Sequence, residues 1–377
     1  MAIGKLDDAA LNRALMARQS LLAREDRSPL AMVRHLVGMQ SQIPGNPYTA
    51  LWSRLVDFDP AEASTLLAER ETVRLSTLRG TIHLHDVEDA LTLRAFTQSV
   101  HDAVAYGPRF VFRKELAGVE PDALWAAARE LLEAAPMTPA RLGPALAERF
   151  PGYDPGTLMA AARYGMSLVQ VTPRGEWGRS GAATLTTVEA WLGQAQRVPD
   201  LESILLRYLA AFGPASVQDA QHWSGVTRLG EVFEKLRPRL AVFADAGTGR
   251  ELFDLPDAPR PDPEIPAPPR FLPDYDNVLI GHAQRGRVMD EGDRVNLFSN
   301  GNGYRPGLLI DGRLAGAWAH AKPKRKDAPA ELAVELFSEQ PAAVRAEVEA
   351  EATALLAFLA PTATVRTVRL HLTGRRA

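Results

Sequence analysis

The sequence predicts a mainly α-helical fold with β wings (α+β), made of three tandem winged helix-turn-helix units and a C-terminal α/β segment. Capping residues and prolines followed by apolar residues at helical spacing predict most of the helices, as at Ser28-Pro29. Short alternating segments that turn at glycine, as at Arg79-Gly80, predict the wings. The order of helices followed by a hairpin occurs three times, which indicates a structural repeat.

The composition is that of a globular protein, since 46% of the 377 residues are hydrophobic and 24% are charged. The absence of cysteine excludes disulfides, thiolate metal sites and cysteine nucleophiles. The sequence has neither an apolar run long enough to span a membrane nor a recognisable secretory signal, so we expect a cytoplasmic protein. The net charge of −3 argues against a uniformly basic surface for nucleic acid but leaves a segregated basic face open.

The predicted first unit comprises residues 1–110 and is organised around the stretch Leu36-Val37-Gly38-Met39-Gln40-Ser41-Gln42. A helix from Ser28-Pro29 runs up to this stretch and is stopped there by glycine and proline. The remaining elements of the unit are predicted helices near 8–23, 47–56, 60–70 and 86–104, and a hairpin of 73–77 and 82–84. The two glutamines are therefore expected at a helix end between packed elements.

Two further units repeat this order. The second, residues 111–195, has predicted helices that begin at Pro121, Pro139 and Pro155, then a hairpin from 168–171 that turns at Pro173-Arg174-Gly175 and returns through Trp177. The third, residues 196–255, has a helix at Leu201–Phe212, a short helix capped by Ser216, a recognition-type helix over 226–236, and a wing of 240–243 and 251–255.

A proline-rich linker is predicted over residues 256–271, and the C-terminal α/β segment over 272–377. The segment contains the clearest two-residue hairpin signal of the chain, Asp311-Gly312 between apolar strands at 308–310 and 314–318. A strand at 332–337, a helix at Ala342–Leu359 and a final strand at 364–372 complete the prediction.

The chemistry of Gln40 and Gln42 is limited to hydrogen bonding, because a neutral amide cannot act as a general base. It can orient a water molecule and direct a dipole at developing charge. Two other arrangements are weaker. His83 and His85 could form a metal pair, but no third ligand is evident and a structural role is favoured. Asp274 and Asp276 could share a proton, but turn and salt-bridge roles are favoured.

Several cations are candidates for contact with the DNA backbone, because winged helices most often bind nucleic acid. The candidates are Lys322, Lys324, Arg325 and Lys326 beyond the Asp311-Gly312 hairpin, Arg79 at the first wing, and Arg174 and Arg179 at the second. A solvated surface run is an equally good interpretation of the lysine cluster. The acidic stretch 331–351 is expected to face away from DNA.

The glutamine stretch, the later Leu75-Ser76-Thr77-Leu78-Arg79-Gly80-Thr81-Ile82-His83-Leu84 and the three winged-helix units together resemble the AlkZ-type DNA glycosylases. The resemblance also covers Leu272-Pro273-Asp274-Tyr275-Asp276 and the hairpin that ends in Gly316-Ala317-Trp318. It implies an open, C-shaped cleft and removal of alkylated purines, including bulky or crosslinked N7-alkylguanines, from double-stranded DNA.

The resemblance also implies roles for individual residues. The catalytic Gln-x-Gln of the family falls on Gln40 and Gln42, whereas a related branch has Gln-x-Asp. The middle residue, Ser41, departs from the larger or apolar residue often found there in members that unhook crosslinks. The DNA-inserting hairpin falls on 308–318, which makes Asp311, Gly312 and Arg313 candidates for DNA contact. His83, in the second motif, is a further candidate.

Two hypotheses of different classes follow. The first is a monofunctional, monomeric glycosylase that needs no cofactor or metal and serves DNA repair, associated with the nucleoid, or self-resistance to an alkylating natural product. The second is a winged-helix transcription regulator without catalytic activity, in which Gln40 and Gln42 only cap a helix end. Release of free base from alkylated DNA would distinguish the two.

Overall fold

The computed structural model describes residues 4–106, 114–297, 304–321, 325 and 328–372. The helices are α1 (Asp8–Arg18), α2 (Pro29–His35), α3 (Asn46–Trp52), α4 (Pro60–Ala68), α5 (Val87–Phe96), α6 (Gln98–Tyr106), α7 (Pro121–Ala134), α8 (Pro139–Arg149), α9 (Pro155–Gly165), α10 (Val188–Leu192), α11 (Leu201–Phe212), α12 (Val217–Ser224), α13 (Gly230–Leu236), α14 (Asn277–Ile280), α15 (Glu291–Leu297) and α16 (Ala342–Leu359). The strands are β1 (Gly4–Leu6), β2 (Met39–Gln40), β3 (Thr72–Ser76), β4 (Ile82–Asp86), β5 (Leu168–Gln170), β6 (Leu185–Thr187), β7 (Ala241–Asp245), β8 (Glu251–Asp254), β9 (Arg270–Leu272), β10 (Gly307–Ile310), β11 (Arg313–Ala321), β12 (Ala330–Leu336) and β13 (Arg366–Leu372). The fold is therefore a mixture of helices and sheets, as predicted.

The helices begin where the sequence satisfies their first N–H groups locally. Ser28 accepts a hydrogen bond from the N–H of Ala31 at the start of α2, and proline occupies the first turn. Ser216 and Asp219 form a reciprocal capping box at the start of α12. Gly225 ends α12 in the left-handed conformation that favours glycine.

The strands form three sheets, and two of these join segments that are distant in sequence. One sheet has the order β2-β4-β3-β5-β6, so the hairpin of the first unit pairs with the second unit through β3 and β5. A second has the order β1-β7-β8, in which β1 runs parallel to β7 of the third unit. The third has the order β13-β12-β11-β10-β9 and belongs to the C-terminal segment.

The largest apolar core likewise crosses the predicted units. Leu15 of α1 packs in one cluster with Leu209 and Phe212 of α11, Trp223 of α12 and Leu309 of β10. The predicted unit boundaries 1–110, 196–255 and 272–377 stay predictions, because one apolar core contains residues from all three segments. In the part of the chain that the structure describes, no helix is both long and apolar enough to cross a membrane.

The predicted return strand through Trp177 is wrong. The strand that pairs with β5 is β6, so residues 171–184 form a long loop. Trp177 instead packs against Tyr48, with ring centroids 4.9 Å apart, and against Phe358 of α16, at 5.0 Å. The Trp177 ring thus packs against residues that are distant in sequence, and a local sequence pattern cannot predict such contacts.

Three other predicted bounds also need correction. The helix predicted over 226–236 begins only at Gly230, because Arg228 has a positive φ of 63°. The helix predicted over 8–23 ends at Arg18, since Ser20 is also left-handed. The linker predicted over 256–271 ends early, because Arg270 and Phe271 belong to β9.

Candidate active site

Gln40 lies at the edge of a sheet, directly after a reversal of the chain. Val37 and Gly38 have φ values of 54° and 91°, which end the helical path of α2 and send the chain into β2. A Cβ at Gly38 would lie 2.1 Å from the ring of His85, so only glycine fits there. In the sheet Gln40 is paired with His83 of β4. The turn that the sequence places after α2 therefore puts the first glutamine on an edge strand.

Ser41 anchors the loop between the two glutamines. Its side chain and its carbonyl accept hydrogen bonds from the buried Arg74 guanidinium, at 2.8 and 2.7 Å, and its N–H donates to the carbonyl of Ile82 at 2.7 Å. Burial lowers the pKa of Arg74 to about 10, which leaves it a cation at neutral pH. Ser41 is fully buried, so these three hydrogen bonds fix the backbone between the two glutamines.

The Gln40 side chain is held by Arg79. The Nη2 group of Arg79 donates to Oε1 of Gln40 at 2.9 Å and to Oδ1 of Asn277 at 2.8 Å, and its Nη1 group donates to the carbonyl of Trp223. A guanidinium has only donors, so this contact assigns the amide oxygen to the Arg79 side. The Gln40 Nε2 group is consequently turned away from Arg79. Gln40 is only 8% exposed, so the opening to this amide is narrow.

Arg79 reaches this position because of its backbone. It lies in a short 3₁₀ turn between β3 and β4, with a φ of 54°, and Gly80 follows with a φ of 70°. Burial, with the nearby Arg285 cation, lowers the pKa of Arg79 to about 10, so it too stays charged at neutral pH. The tip of the first predicted wing therefore acts as a clamp on Gln40.

Gln42 differs from Gln40 in exposure and in the charge of its partner. Its side chain is exposed, and its Oε1 accepts a hydrogen bond of 3.2 Å from the neutral N–H of Ile82. Among the described residues, no protein acceptor receives a hydrogen bond from Nε2 of either Gln40 or Gln42. Both amides thus direct their oxygens at the protein and leave their amino groups for another molecule.

A small cavity adjoins Gln40, and the two charged residues that line it, Arg54 and Asp276, are paired with each other. Gln19, Met39, Arg54, Asp276 and Asn277 are among its lining residues. Arg54 and Asp276 form a buried bidentate ion pair with two N–O distances of 2.9 Å, and Asp276 also caps α14. Asp276 therefore has the structural role that the sequence favoured. Burial raises the pKa of the other carboxyl, Asp274.

His83 and His85 are structural histidines. Both are fully buried, and their rings stack with centroids 5.7 Å apart. Burial lowers the pKa of His85 to about 4 and the pKa of His83 well below its usual value, so both are neutral at pH 7. Among the described residues, no group of three possible ligands could hold a metal ion. The prediction that His83 contacts DNA conflicts with its burial behind Gln40.

Sequence reasoning missed four half-buried residues beside the clamp: His222, Tyr275, Arg285 and Tyr304. Arg285 donates to the Tyr304 hydroxyl at 3.0 Å and to Nε2 of His222 at 3.2 Å. The rings of Tyr304 and Tyr275 meet edge to face at 5.7 Å. His222 directly precedes Trp223, whose carbonyl accepts a hydrogen bond from Arg79. The four side chains are therefore connected to Gln40 through Arg79. The sequence signals were the motif around Tyr275 and the position of Arg285 downstream of Asp274 and Asp276.

Comparison with known proteins places this arrangement in a family. The model of the family described as DNA glycosylase AlkZ-like matches residues 33–358, which include the glutamine loop and the clamp. The chain belongs to this family. It is therefore a DNA glycosylase, a DNA-repair enzyme that acts on DNA, and the hypothesis of a transcription regulator without activity is not supported.

A solved structure shares the fold. It is the Streptomyces sahachiroi DNA glycosylase AlkZ, which matches with a TM-score of 0.75 over 97% of this chain and 100% of that one, at 20% identity. No curated protein sequence matches the chain. The fold of this AlkZ-like glycosylase is thus known from a distant structure, while its site has to be argued from its own residues.

Arg174 and Arg179, both in the long loop before β6, are predicted DNA contacts. Arg174 is half-buried and donates to the carbonyl of Gly181 at 2.8 Å. Arg179 is exposed and forms an ion pair of 2.7 Å with Glu176. Arg179 keeps further N–H donors for a phosphate, but Glu176 offsets part of its charge, so the loop supplies a weaker cationic surface than its sequence suggests.

The Asp311-Gly312 turn contacts other parts of the protein. Asp311 accepts hydrogen bonds from Arg13 of α1 and, at 3.1 Å, from the N–H of Ala267. The carbonyl of Gly312 accepts a hydrogen bond of 2.8 Å from Asn12. Arg313 in turn donates to Asp290 at 2.6 Å. The two-residue turn is confirmed and its tip is docked on the N-terminal helix, while the predicted contact of Asp311, Gly312 and Arg313 with DNA stays a prediction.

The lysine cluster falls between β11 and β12 in the sequence. Lys322, Lys324 and Lys326 lie outside the described residues, and Arg325 is exposed. The two strands on either side pair in antiparallel fashion, with Ala321 opposite Glu331. The predicted contact of this cluster with the DNA backbone therefore stays a prediction.

Proposed function

We propose that this AlkZ-like protein is a monofunctional glycosylase for alkylated purines in double-stranded DNA, chiefly N7-alkylguanine, with Gln40 and Gln42 at its reaction centre. The observation that carries the proposal is the shared orientation of the two amides, whose oxygens accept protein hydrogen bonds while their amino groups are left for a ligand. The buried Ser41 between them, bound by Arg74, fixes the backbone that carries both side chains.

The reaction suits neutral amides. Alkylation at N7 makes guanine a cation, so the base is primed to leave before the enzyme acts. Water adds to C1′ of the deoxyribose as the bond from C1′ to N9 breaks, and the bonding electrons leave with the base, which becomes neutral. The water proton passes to solvent. The oxygen end of a fixed amide dipole, which Gln42 still offers, can stabilise the positive sugar of the transition state, and such a group contributes on the order of 10²- to 10³-fold.

The two glutamines have different tasks in this scheme. Oε1 of Gln42 accepts a hydrogen bond from a neutral N–H group, and its second lone pair is available to orient the attacking water. Oε1 of Gln40 is bound to the Arg79 cation, which makes it a poor acceptor for a second donor. Its amino group is the better contact to an oxygen of the damaged nucleotide. Gln42 thus positions water, and Gln40 positions the nucleotide.

Bulky and interstrand-crosslinked adducts extend the same proposal. A base tied to the opposite strand cannot rotate freely into a closed pocket, as ordinary base flipping requires. Three winged-helix units that form an open, C-shaped cleft would admit such a base, and the exposure of Gln42 at a sheet edge is compatible with that. Self-resistance to an alkylating natural product is the biological role that such substrates would suit, and action as a monomer is part of the proposal.

The test is excision by glutamine variants. A duplex with a single N7-methylguanine is incubated with wild type, Gln40→Ala and Gln42→Ala, and free base and alkali-labile abasic sites are measured. Each variant should lose about 100-fold or more in single-turnover rate. Affinity for undamaged duplex should change little, because no charge is removed. Gln340→Ala, at a partly exposed glutamine remote in sequence, is the matched control and should cleave normally.

The contrary outcome is clear. A double variant, Gln40→Ala with Gln42→Ala, that is folded by circular dichroism and still excises at the wild-type rate would place the reaction centre elsewhere. A duplex with a nitrogen-mustard crosslink, run in parallel, tests the extension to bulky substrates separately.

A further inference from the structure

In the part of the chain that the structure describes, two arginines near Gln40 lack an ion-pair partner, and the carboxylate that senses the charge of Arg285, Glu291, is already bound by Arg294. Among the described residues, no carboxylate lies within ion-pair distance of Arg79 or Arg285, whereas Arg54, on the other side of the Gln40 cavity, is fully paired with Asp276. Arg79 and Arg285 are close enough for each cation to disfavour the other. Two half-buried like charges without a partner are unfavourable, unless an anion joins them.

The partners of Arg285 are all neutral. They are the Tyr304 hydroxyl at 3.0 Å, Nε2 of His222 at 3.2 Å and the carbonyl of His282 at 3.4 Å. Burial and the two arginines lower the pKa of His222, so its ring is uncharged at neutral pH. The carboxylate that influences His222 is Asp219, and its oxygens are already bound by Ser216 and by the N–H groups of Ala283 and Gln284.

Both guanidinium groups retain unused donors. A guanidinium has five N–H bonds. Arg285 uses three of these, one on each nitrogen, which leaves one N–H on Nη1 and one on Nη2. Arg79 uses both N–H bonds of Nη2 and one of Nη1. Paired terminal N–H bonds of this kind fit the oxygens of a phosphodiester.

We propose that Arg285, with Arg79 behind it and His222 and Tyr304 holding it in place, binds one phosphodiester of the DNA strand next to the damaged nucleotide. The site rests on the proposed function, because Arg79 links it directly to Gln40. A phosphate fixed here sets the distance of the adjoining sugar from both glutamines. Tyr275 and Tyr304 provide an aromatic wall beside the same strand.

Binding to DNA that cannot be cleaved tests the site without using excision. The ligand is a duplex with a tetrahydrofuran abasic analogue, and affinity is measured by fluorescence anisotropy over a range of salt concentrations. Arg285→Gln should bind about 10-fold more weakly at low salt, and its slope of log affinity against log salt should be shallower by about one unit. Arg285→Lys, which keeps the charge, should keep most of the slope.

A phosphate scan then locates the contact. Single methylphosphonates, which remove the charge of one phosphate, are placed at each position within about four nucleotides of the analogue. At the contacted position the substitution should weaken the wild type but leave Arg285→Gln unchanged. The matched control is Arg149→Gln, since Arg149 is exposed but paired with both oxygens of Glu130. This variant should keep the wild-type slope and scan.

The outcomes separate the two proposals. An unchanged salt slope for Arg285→Gln, or a scan in which no phosphate near the lesion distinguishes it from wild type, overturns the phosphate site. Normal excision by the glutamine variants, together with a positive scan, overturns the assigned reaction centre and leaves the phosphate site standing. Thermal unfolding of each variant checks that a loss of binding is not a loss of folding.

Discussion

Two hairpin connections of this protein each contain two consecutive left-handed residues, but their tips make different contacts. In the turn between β3 and β4, Arg79 and Gly80 have φ values of 54° and 70°, and in the turn between β10 and β11, Asp311 and Gly312 have values of 48° and 74°. The first turn directs a cation at Gln40. The second is bound to α1 through Arg13 and fixes the C-terminal sheet to the N-terminal helix.

The difference lies in what each tip contacts. The polar groups of the Asp311-Gly312 tip are satisfied by α1, so this turn contributes to stability. The Arg79 guanidinium has spare N–H bonds and contacts Gln40, so under the proposed function this turn contributes to catalysis. Turn-forming residues in the sequence therefore predict a hairpin, but they do not show whether its tip binds a ligand or packs against another part of the protein.

The largest expected effect is on stability, at the glycine of each turn. A Cβ on Gly312 would lie 2.4 Å from Oδ1 of Asn12, whereas a Cβ on Gly80 would meet nothing nearer than 3.9 Å. Both alanine variants bear a left-handed strain of about 1 kcal/mol. Gly312→Ala adds the overlap, so it should lower the free energy of unfolding by about 3 kcal/mol, against about 1 kcal/mol for Gly80→Ala. Urea denaturation measures both, and equal losses would show that the second tip is not docked.

The next effect is on catalysis. Arg79→Met removes the clamp on Gln40, and the single-turnover rate at saturating protein should fall about 100-fold, because a displaced amide no longer meets the nucleotide. Saturating protein removes the contribution of weaker DNA binding. Asp311→Ala, the corresponding change at the other turn, should leave this rate within about twofold of wild type. A rate loss at Asp311 comparable with that at Arg79 would return the second hairpin to the reaction centre.

The smallest effect is on pH dependence, and it concerns the first turn alone. His85 supports that turn through a contact of 2.8 Å between its Nε2 and the Thr77 hydroxyl. Its pKa is lowered from 6.5 to about 4 by burial. Above pH 6.5 the ring is neutral in both folded and unfolded states, and stability does not change. Below pH 6.5 only the unfolded state takes up the proton, so stability is lost as the pH falls towards 4, by about 2 kcal/mol at pH 5.

His85→Gln isolates this contribution, since glutamine can keep the hydrogen bond to Thr77 but does not titrate. The difference in unfolding free energy between pH 7.5 and pH 5 should be smaller in the variant by about 2 kcal/mol. Other buried histidines, such as His101, are present in both proteins, so their contributions to the pH dependence cancel in the comparison. An identical decline in both proteins would mean that His85 is protonated in the folded state.

Local chemistry made much of the fold predictable. The sequence predicts α11 and α16 with the bounds observed, because capping, proline and helical periodicity all act within a few residues. The same holds for the two-residue turn after β10. Trp177 shows the limit. Its neighbours in sequence favoured a strand, but its contacts with Tyr48 and Phe358 lie far away in the chain.

The candidate site shows the same division. Motifs in the sequence singled out Gln40, Gln42 and Arg79, and the structure brings Arg79, in the turn between β3 and β4, into contact with Gln40 of β2. No motif predicted the contact between Arg285 and His222, because their meeting beside Arg79 depends on the packing of α12 and of the loop after α14.

The sequence by itself determined that two glutamines follow a helix end and that the chain turns at Arg79-Gly80 and at Asp311-Gly312, since both depend on residues a few positions apart. Only the tertiary structure decided that Arg79 holds Gln40, that Asp311 and Gly312 are docked on α1, and that Arg285 meets His222. These are contacts between segments up to about three hundred residues apart in sequence, and no local pattern specifies which distant groups share a core.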